Sequence, residues 1–156
     1  MRKLVIDLGH GGYDPGAVGK GGTKESDVVL KIGKYLESML KEVDLDVRFT
    51  RLSDKYVSLG DRVEFANNFG ADYFLSIHIN SASDNTVRGV EVWQYNNDDN
   101  LKAIAMVIKD NLLKLYNIED NKRLYKVCVG CYKERSNAIK VLNVAKSKGF
   151  GDAYII

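Results

Sequence analysis

The sequence is poor in the residues that mark several common classes of small protein. Its 156 residues include one proline, one tryptophan and two cysteines. The cysteines, Cys128 and Cys131, form a single C-x-x-C, whereas a zinc ribbon needs a second such pair. We interpret both as reduced thiols, because a free cysteine behaves as a small buried apolar residue.

Strong charge and long apolar runs are also missing. A net charge of +2 is too small to indicate nucleic-acid binding. No stretch approaches the roughly 20 apolar residues that span a bilayer, so we expect no membrane span. The first eight residues lack the extended apolar segment of a secretory signal and are instead predicted to form a strand.

The sequence does contain an alternation of strand-like and helix-like segments. Apolar residues recur every three or four positions, as in helices with one buried face, over residues 25–43, 59–69 and 100–116. Ser58 is placed to cap the second of these helices. Short apolar or alternating runs predict strands at residues 3–7, 45–50, 73–79 and 89–95. This order predicts an α/β fold with a single mixed or mostly parallel sheet and helices on both faces.

A change in composition near Asn121 divides the chain into two predicted units. Residues 1–121 hold the alternating segments described above. Residues 122–156 read as a compact strand, helix and strand, at residues 125–129, 137–147 and 153–156. Because an unpaired strand edge invites unwanted pairing, we expect the second unit to cover the edge of the sheet of the first.

Both histidines of the chain lie in unusual settings. His10 lies among glycines, where no apolar core could bury it, and His78 interrupts an apolar run, where its ring needs a polar partner. A single histidine is more often structural. Two of them at the carboxyl ends of predicted strands, the edge at which ligands bind in α/β sheets, favour a shared site.

An acidic residue, Glu25, opens the helix between the two histidines. Two imidazoles and one carboxylate are the open ligand set of a catalytic zinc, which keeps a position for water. A carboxylate in the first turn of a helix is also favoured by the helix dipole. Both interpretations of Glu25 hold at once, and we predict a Zn²⁺ site at His10, Glu25 and His78.

A glycine-rich stretch, residues 16–23 (GAVGKGGT), raises the alternative of a phosphate-binding loop. The pattern G-x-x-x-x-G-K-[ST] fails at two positions, because Asp14 stands five residues before Gly19 and Gly21 follows Lys20. The pattern G-x-G-x-x-G does not fit either. The sequence therefore disfavours nucleotide binding.

Several motifs in order resemble the zinc-dependent N-acetylmuramoyl-L-alanine amidases of the amidase-3 type. The opening string IDLGHGGYDPGA at residues 6–17 is similar to the first signature of that family. Further matching positions are Glu25, Thr50-Arg51, Ser58-Leu59, Arg62, Ala66-Asn67, Ala71-Asp72, SIHIN at residues 76–80 and GVE at residues 89–91. The resemblance implies that His10, Glu25 and His78 are the zinc ligands. It also makes Asp7 and Asn80 candidates to support those ligands, while Arg51, Arg62 and Asn67 are expected to hold the fold.

The carboxyl end departs from this resemblance. The family carries a late proline-containing strand that ends in Leu-Val-Glu, and its glutamate is the second catalytic residue. This chain has one proline, Pro15, and no such segment. The residue in the catalytic role is therefore unknown, and we consider Glu91 and Glu134 as substitutes. Glu91 is the residue we name for the site, although a structural role is the more common one for such a strand residue.

The second unit resembles the first half of a SPOR domain, a module that binds peptidoglycan glycan strands. The similar segments are YKVCVG at residues 125–130, ERSNA at residues 134–138, KGF at residues 148–150 and AY at residues 153–154. A complete module is about twice this length. The resemblance implies that residues 1–121 are an amidase domain without its usual end, joined to this half module at residues 122–156.

Taken together, the resemblance implies hydrolysis of the amide bond between N-acetylmuramic acid and L-alanine in peptidoglycan. We expect a monomer that acts on the cell wall, as autolysins and endolysins do. Because no signal peptide is visible, we expect synthesis in the cytoplasm and release by lysis or an unidentified route. The alternative is a non-catalytic peptidoglycan-binding pseudoenzyme that keeps the zinc cleft, and a non-functional gene remnant is a third hypothesis.

Overall fold

A computed structural model describes residues 1–79, 81, 89–94, 98–116 and 126–129. Its helices and strands are, in chain order, β1 (Arg2–Leu8), α1 (Glu25–Met39), β2 (Leu45–Phe49), α2 (Leu59–Phe69), β3 (Tyr73–Ile77), β4 (Glu91–Gln94), α3 (Asp99–Tyr116) and β5 (Lys126–Val129). The helix and strand predicted at residues 137–147 and 153–156 lie outside this part of the chain, as do Asn80 and Glu134.

The five strands in the described part of the chain form one mixed sheet in the order β2-β1-β3-β5-β4. β1 pairs with β2 and with β3 in parallel, β5 pairs with β4 in parallel, and β3 pairs with β5 antiparallel. The carboxyl ends of β1, β2 and β3 therefore lie at the same edge of the sheet. The predicted α/β class with a mostly parallel sheet is confirmed.

Helices cover both faces of this sheet. Alternate residues of β1, Ile6 and Leu8, pack with Val29 of α1 in the main apolar core. Leu75, which lies beside Ile6 in the neighbouring strand, also packs against α3. The opposite face meets α2, where Arg62 donates to Asp7. Successive side chains of β1 point to opposite faces of the sheet. Helices α1 and α3 therefore lie on one face, and α2 lies on the other.

The helix ends show how local sequence sets the element boundaries. Ser58 caps α2, as predicted, and the structure adds a capping box with Asp61; Gly70 ends the helix at φ 68°. The first helix is shorter than predicted, because after Met39 the chain tightens into a 3₁₀ turn at Leu40–Glu42. None of the described helices is long and apolar enough to cross a membrane.

The position of β5 corrects one expectation. Residues 126–129 do not cover the edge of the sheet but lie between β3 and β4, with Ile77 opposite Val127. The edges of the described sheet are β2 and β4. Leu75 and Ile77 of β3 thus have a paired strand on each side, β1 and β5.

Candidate metal centre

Three elements bring His10, Glu25 and His78 together at one edge of the sheet. His10 follows β1, His78 follows β3, and Glu25 is the first residue of α1. Parallel pairing of β1 with β3 places the ends of these strands side by side. His10 has φ 60°, in the left-handed region that non-glycine residues rarely adopt and that persists only when surrounding contacts hold it.

The three donor atoms form a nearly equilateral triangle. His78 Nδ1 lies 3.1 Å from His10 Nε2 and 3.0 Å from Glu25 Oε1, and His10 Nε2 lies 3.2 Å from the same carboxylate oxygen. The two imidazole rings meet edge to face with centroids 4.8 Å apart. In the described part of the chain, these residues form a group of donors close enough to share one metal ion.

The donor set and its spacing fit zinc. Four-coordinate zinc takes imidazole nitrogen and carboxylate oxygen at about 2.0–2.1 Å, which separates tetrahedral ligands by about 3.3–3.4 Å. The observed sides of 3.0–3.2 Å require only a small outward shift of each donor. Three protein donors also leave a position free for water or substrate, as catalytic zinc sites do.

Backbone amides hold the Glu25 carboxylate in place. Its Oε1 accepts from the N–H of Ile79 at 2.7 Å and its Oε2 from the N–H of Ala17 at 3.0 Å. Burial raises the pKa of Glu25, but its bonds with His10, His78 and Ala17 outweigh this effect and hold the pKa well below its usual range. The carboxylate is therefore ionised at neutral pH, as a metal ligand must be.

The ring of His10 is oriented by Asp14. His10 Nδ1 lies 2.9 Å from Asp14 Oδ2, and an ionised carboxylate can only accept, so Nδ1 carries the hydrogen and Nε2 faces Glu25 and His78. The bond with Glu25, opposed by burial and aided by Asp14, raises the pKa of His10 above 6.5. A carboxylate behind a ligating imidazole is the usual support of a zinc-bound histidine.

Two glycines let the chain approach the donors closely. A Cβ added at Gly9 would lie 2.3 Å from Cε1 of His78. A Cβ at Gly16 would lie 2.6 Å from the ring of His10 and 2.8 Å from Glu25 Oε2, and Gly16 also has φ 64°. In the segment that resembled a phosphate loop, residues 16–23, Gly16 packs against two of the donors, whereas a Cβ at Gly21 or Gly22 would meet nothing within 4 Å.

A buried arginine ties together the segments that carry the donors. The Arg51 guanidinium donates to the carbonyls of Leu8, Gly9 and Ser26, and to that of Ser53. Leu8 and Gly9 precede His10 in the chain, and Ser26 follows Glu25. Arg51 was predicted to hold the fold, and its contacts show that it also fixes the backbone beside two donors.

The predicted support of the ligands by Asp7 is wrong, because that carboxylate accepts from Thr50, Ser76 and Arg62. Its link to the site is indirect, since Arg62 also donates to the His10 carbonyl at 3.1 Å. The side chain that sequence analysis missed is Asp14. Its place four residues after His10 in a turn-forming segment was the available signal.

Sequence and structure comparisons agree on one family. A sequence model of Amidase_3, described as N-acetylmuramoyl-L-alanine amidase, matches residues 4–147. The chain belongs to the N-acetylmuramoyl-L-alanine amidase family. The match extends beyond residue 121, the predicted boundary between the two units, which itself stays a prediction.

Two relatives named as amidases match this chain over only part of their own length. N-acetylmuramoyl-L-alanine amidase AmiA of Escherichia coli (strain K12) is 40% identical over 109 residues, which are 70% of this chain and 38% of that protein. The sporulation-specific amidase of Bacillus subtilis (strain 168) is 49% identical over 83 residues, or 52% of this chain and 32% of that protein. The chain thus spans well under half the length of these relatives.

A solved structure shares the fold. The catalytic domain of CwlV, an N-acetylmuramoyl-L-alanine amidase from Bacillus (Paenibacillus) polymyxa var. colistinus, superposes with a TM-score of 0.69 at 29% identity. The superposition covers 83% of this chain and 79% of that domain. The sheet with helices on both faces is therefore the fold of an amidase catalytic domain.

The structure places Glu91 at the donor edge of the sheet but outside the three-donor group. Ile77 of β3 pairs with Val127 of β5, and Lys126 of β5 pairs with Glu91 of β4. Continuing this register by one residue places Glu91 level with His78, at a distance of two strands across the sheet. Two strand spacings are about 10 Å. Glu91 is half-buried, and its Oε2 accepts from Nε1 of Trp93 at 3.3 Å.

Proposed function

We propose that this chain is a zinc-dependent hydrolase of the amide bond between N-acetylmuramic acid and L-alanine in peptidoglycan. The observation that carries the proposal is the triangle of His10, Glu25 and His78 at the carboxyl edge of an amidase-family sheet. Relatives named as N-acetylmuramoyl-L-alanine amidases supply the substrate class. Action on the cell wall follows from that substrate.

The residues divide into those that hold the metal and those that fix them. His10 Nε2, His78 Nδ1 and a Glu25 oxygen would hold Zn²⁺, which when bound supplies a Lewis acid for the amide carbonyl and lowers the pKa of water toward about 7. Asp14 holds His10 in the tautomer that offers Nε2. The N–H groups of Ala17 and Ile79 fix the Glu25 carboxylate.

Glycines and Arg51 complete this arrangement. Gly9 and Gly16 leave the space that the imidazoles and the carboxylate occupy. Arg51 restrains the backbone next to His10 and Glu25 through bonds of 2.8–3.0 Å to Gly9 and Ser26. Because these groups are already held in place, binding of metal and substrate costs less conformational entropy.

Proton transfer to the departing amine is the role we propose for Glu91. Its place at the donor edge of the sheet supports this role, which requires the Glu91 carboxylate to come within about 3 Å of the departing nitrogen. Loss of a general acid or base costs about 10²–10⁴ in rate. We therefore expect Glu91→Gln to lower hydrolysis by about a hundredfold or more while zinc content stays unchanged.

The test is release of new L-alanine amino termini from purified peptidoglycan by the zinc-loaded chain. Wild-type protein should release them, and Glu25→Gln should abolish the release together with zinc binding. Glu37→Gln is the matched control, since Glu37 is an exposed glutamate on the same helix. No release by wild-type protein that holds one zinc would contradict the proposal and leave a wall-binding protein without turnover.

A further inference from the structure

Two exposed tyrosines stack on each other beside the metal centre. The rings of Tyr13 and Tyr56 have centroids 4.2 Å apart and planes 26° apart. Tyr13 is 79% exposed and Tyr56 41% exposed. One face of each ring thus meets its partner, while most of the Tyr13 ring remains open to solvent. Tyrosine is enriched at binding interfaces, because its ring is apolar and its hydroxyl can stay in water.

The stacked pair is joined rigidly to the donors. Tyr13 precedes Asp14, the residue that orients His10, in a turn closed by two backbone bonds between Gly11 and Asp14. The turn is pinned to the segment of Tyr56, because the Gly12 N–H donates to Asp54 Oδ1 at 2.8 Å. The pair therefore holds a fixed position relative to His10.

The buried side chain of Arg51 also links the segment of Tyr13 to the segment of Tyr56. Arg51 donates both to the carbonyl of Gly9 and to that of Ser53. A Cβ added at Gly11 would lie 2.3 Å from the Lys55 carbonyl, and one at Gly12 would lie 2.7 Å from the Tyr56 nitrogen. The two segments pack so closely that the tyrosine pair cannot move far without moving the donor loop.

We propose that Tyr13 and Tyr56 form an aromatic platform that binds a pyranose ring of the glycan strand next to the amide that is cut. The proposal rests on the proposed function, because that function brings a glycan strand to this edge of the sheet. It adds a substrate-binding site formed by side chains that do not belong to the three-donor group.

The chemistry of the platform suits a sugar. A pyranose ring offers one face of C–H groups that packs on a flat aromatic ring, and a rim of hydroxyls. The residues around the platform are exposed and polar, among them Ser53, Asp54 and Lys55, so they can exchange hydrogen bonds with such a rim. Tyrosine is a rigid contact with two χ angles, so that ordering it costs little entropy.

The experiment measures binding of the full chain, treated with a chelator so that nothing is cut, to purified sacculi and to glycan chains stripped of stem peptides. Tyr13→Ala should weaken binding to both by about three- to tenfold, as expected for loss of one aromatic contact. Tyr13→Phe keeps the ring and should bind within about twofold of wild type. Tyr35→Ala, at a tyrosine that is 72% exposed on α1, should bind as wild type does.

Two results would overturn the platform. One is unchanged binding by a folded Tyr13→Ala variant, which would mean that the pair only braces the two segments. The other is competition by free stem peptides but not by stripped glycan. Binding does not depend on turnover, so loss of binding in Tyr13→Ala with no hydrolysis by wild type would sustain the platform and reject the amidase proposal.

Discussion

Among single residues, Arg51 shows how a buried charge organises a site through backbone groups. The side chain is 1% exposed, and its guanidinium donates to four carbonyls. Burial lowers the pKa of Arg51, as does the charge of Arg62, while nearby carboxylates including Asp54 and Asp7 raise it. A fork of fixed N–H donors can serve several carbonyls at once, and a lysine ammonium cannot reproduce that geometry.

We therefore expect Arg51→Lys to weaken both fold and site. Carbonyls near His10 and Glu25 would lose their donors, which should lower the free energy of unfolding by about 2–4 kcal/mol. Urea unfolding of the metal-free protein measures this loss. Arg48→Lys is the matched control: Arg48 is exposed and lies over the Phe69 ring, a contact that lysine can keep, so the change should stay within about 0.5 kcal/mol. A loss of equal size in both variants would contradict this account.

In the metal-free protein, the shifted pKa values of His10 and Glu25 predict a pH range in which the fold is most stable. The pKa of His10 is raised above 6.5, so its contribution is complete below 6.5 and is lost as pH rises through its folded value. The pKa of Glu25 is lowered, so its contribution is present above 4.5 and is lost as pH falls through its folded value. The stabilisation that His10 and Glu25 give each other should therefore be largest between pH 4.5 and pH 6.5.

Comparison of wild type with Glu25→Gln tests this window. In chelated protein the variant should lose about 1.5–3 kcal/mol of unfolding free energy at pH 5.5, and less at pH 9, because the charge on His10 is lost as pH rises through its folded pKa. Urea unfolding at the two pH values gives the difference. A constant loss at both would show that the imidazole charge contributes nothing to the pair.

Sequence reasoning found the three donors but not their supports. His10, Glu25 and His78 stand out because a histidine among glycines and a histidine within an apolar strand each need a partner. Asp14 and Arg51 act through the geometry of a turn and of four carbonyls, which residue types alone do not fix. Whether the donors bind zinc stays a prediction.

Among secondary-structure elements, α1 approaches β1 where a glycine permits it. A Cβ at Gly33 would lie 2.2 Å from Leu8 Cδ1, whereas one at Gly60 in α2 would meet nothing closer than Ser58 Oγ at 3.9 Å. Both glycines lie in helices and differ in the space around them. They form a natural pair for testing the helix–sheet contact that positions Glu25.

Alanine at the two positions should have opposite effects. Gly60→Ala should raise the free energy of unfolding by up to about 1 kcal/mol, because alanine is the better helix former. Gly33→Ala should lower it by about 1–3 kcal/mol, because the clash with Leu8 outweighs the same gain. Thermal unfolding of both variants measures this. Stabilisation by Gly33→Ala would mean that α1 is less tightly packed than described.

The helices and the first three strands followed from periodicity and capping, whereas the place of β5 did not. Alternating segments predicted β1, β2 and β3 within a few residues, and Ser58 marked the start of α2. Which strands become neighbours depends on pairing between distant segments, so the insertion of residues 126–129 between β3 and β4 could not be derived from local pattern.

At the scale of the whole chain, the family match crosses the predicted boundary between the two units, residues 1–121 and 122–156. The family model extends to residue 147, and residues 126–129 complete the sheet beside β3. Residues 122–156 resemble half of a glycan-binding module, and their division from residues 1–121 stays a prediction. Within the described part, β5 belongs to the same sheet as the strands that precede His10 and His78, so changes in this segment should affect the stability of the amidase fold.

The most direct test is the zinc stoichiometry of the purified chain, measured by equilibrium dialysis at pH 7.5 followed by metal analysis. Wild type and Glu37→Gln should each hold one zinc per chain, and His10→Ala, Glu25→Gln and His78→Ala should each lose it while remaining folded. Binding should also raise the melting temperature of wild type. At a thousandfold excess of zinc over Kd, binding adds about 4 kcal/mol to the free energy of unfolding. A wild type without zinc, or three variants that keep it, would contradict the assignment of these side chains to one metal centre.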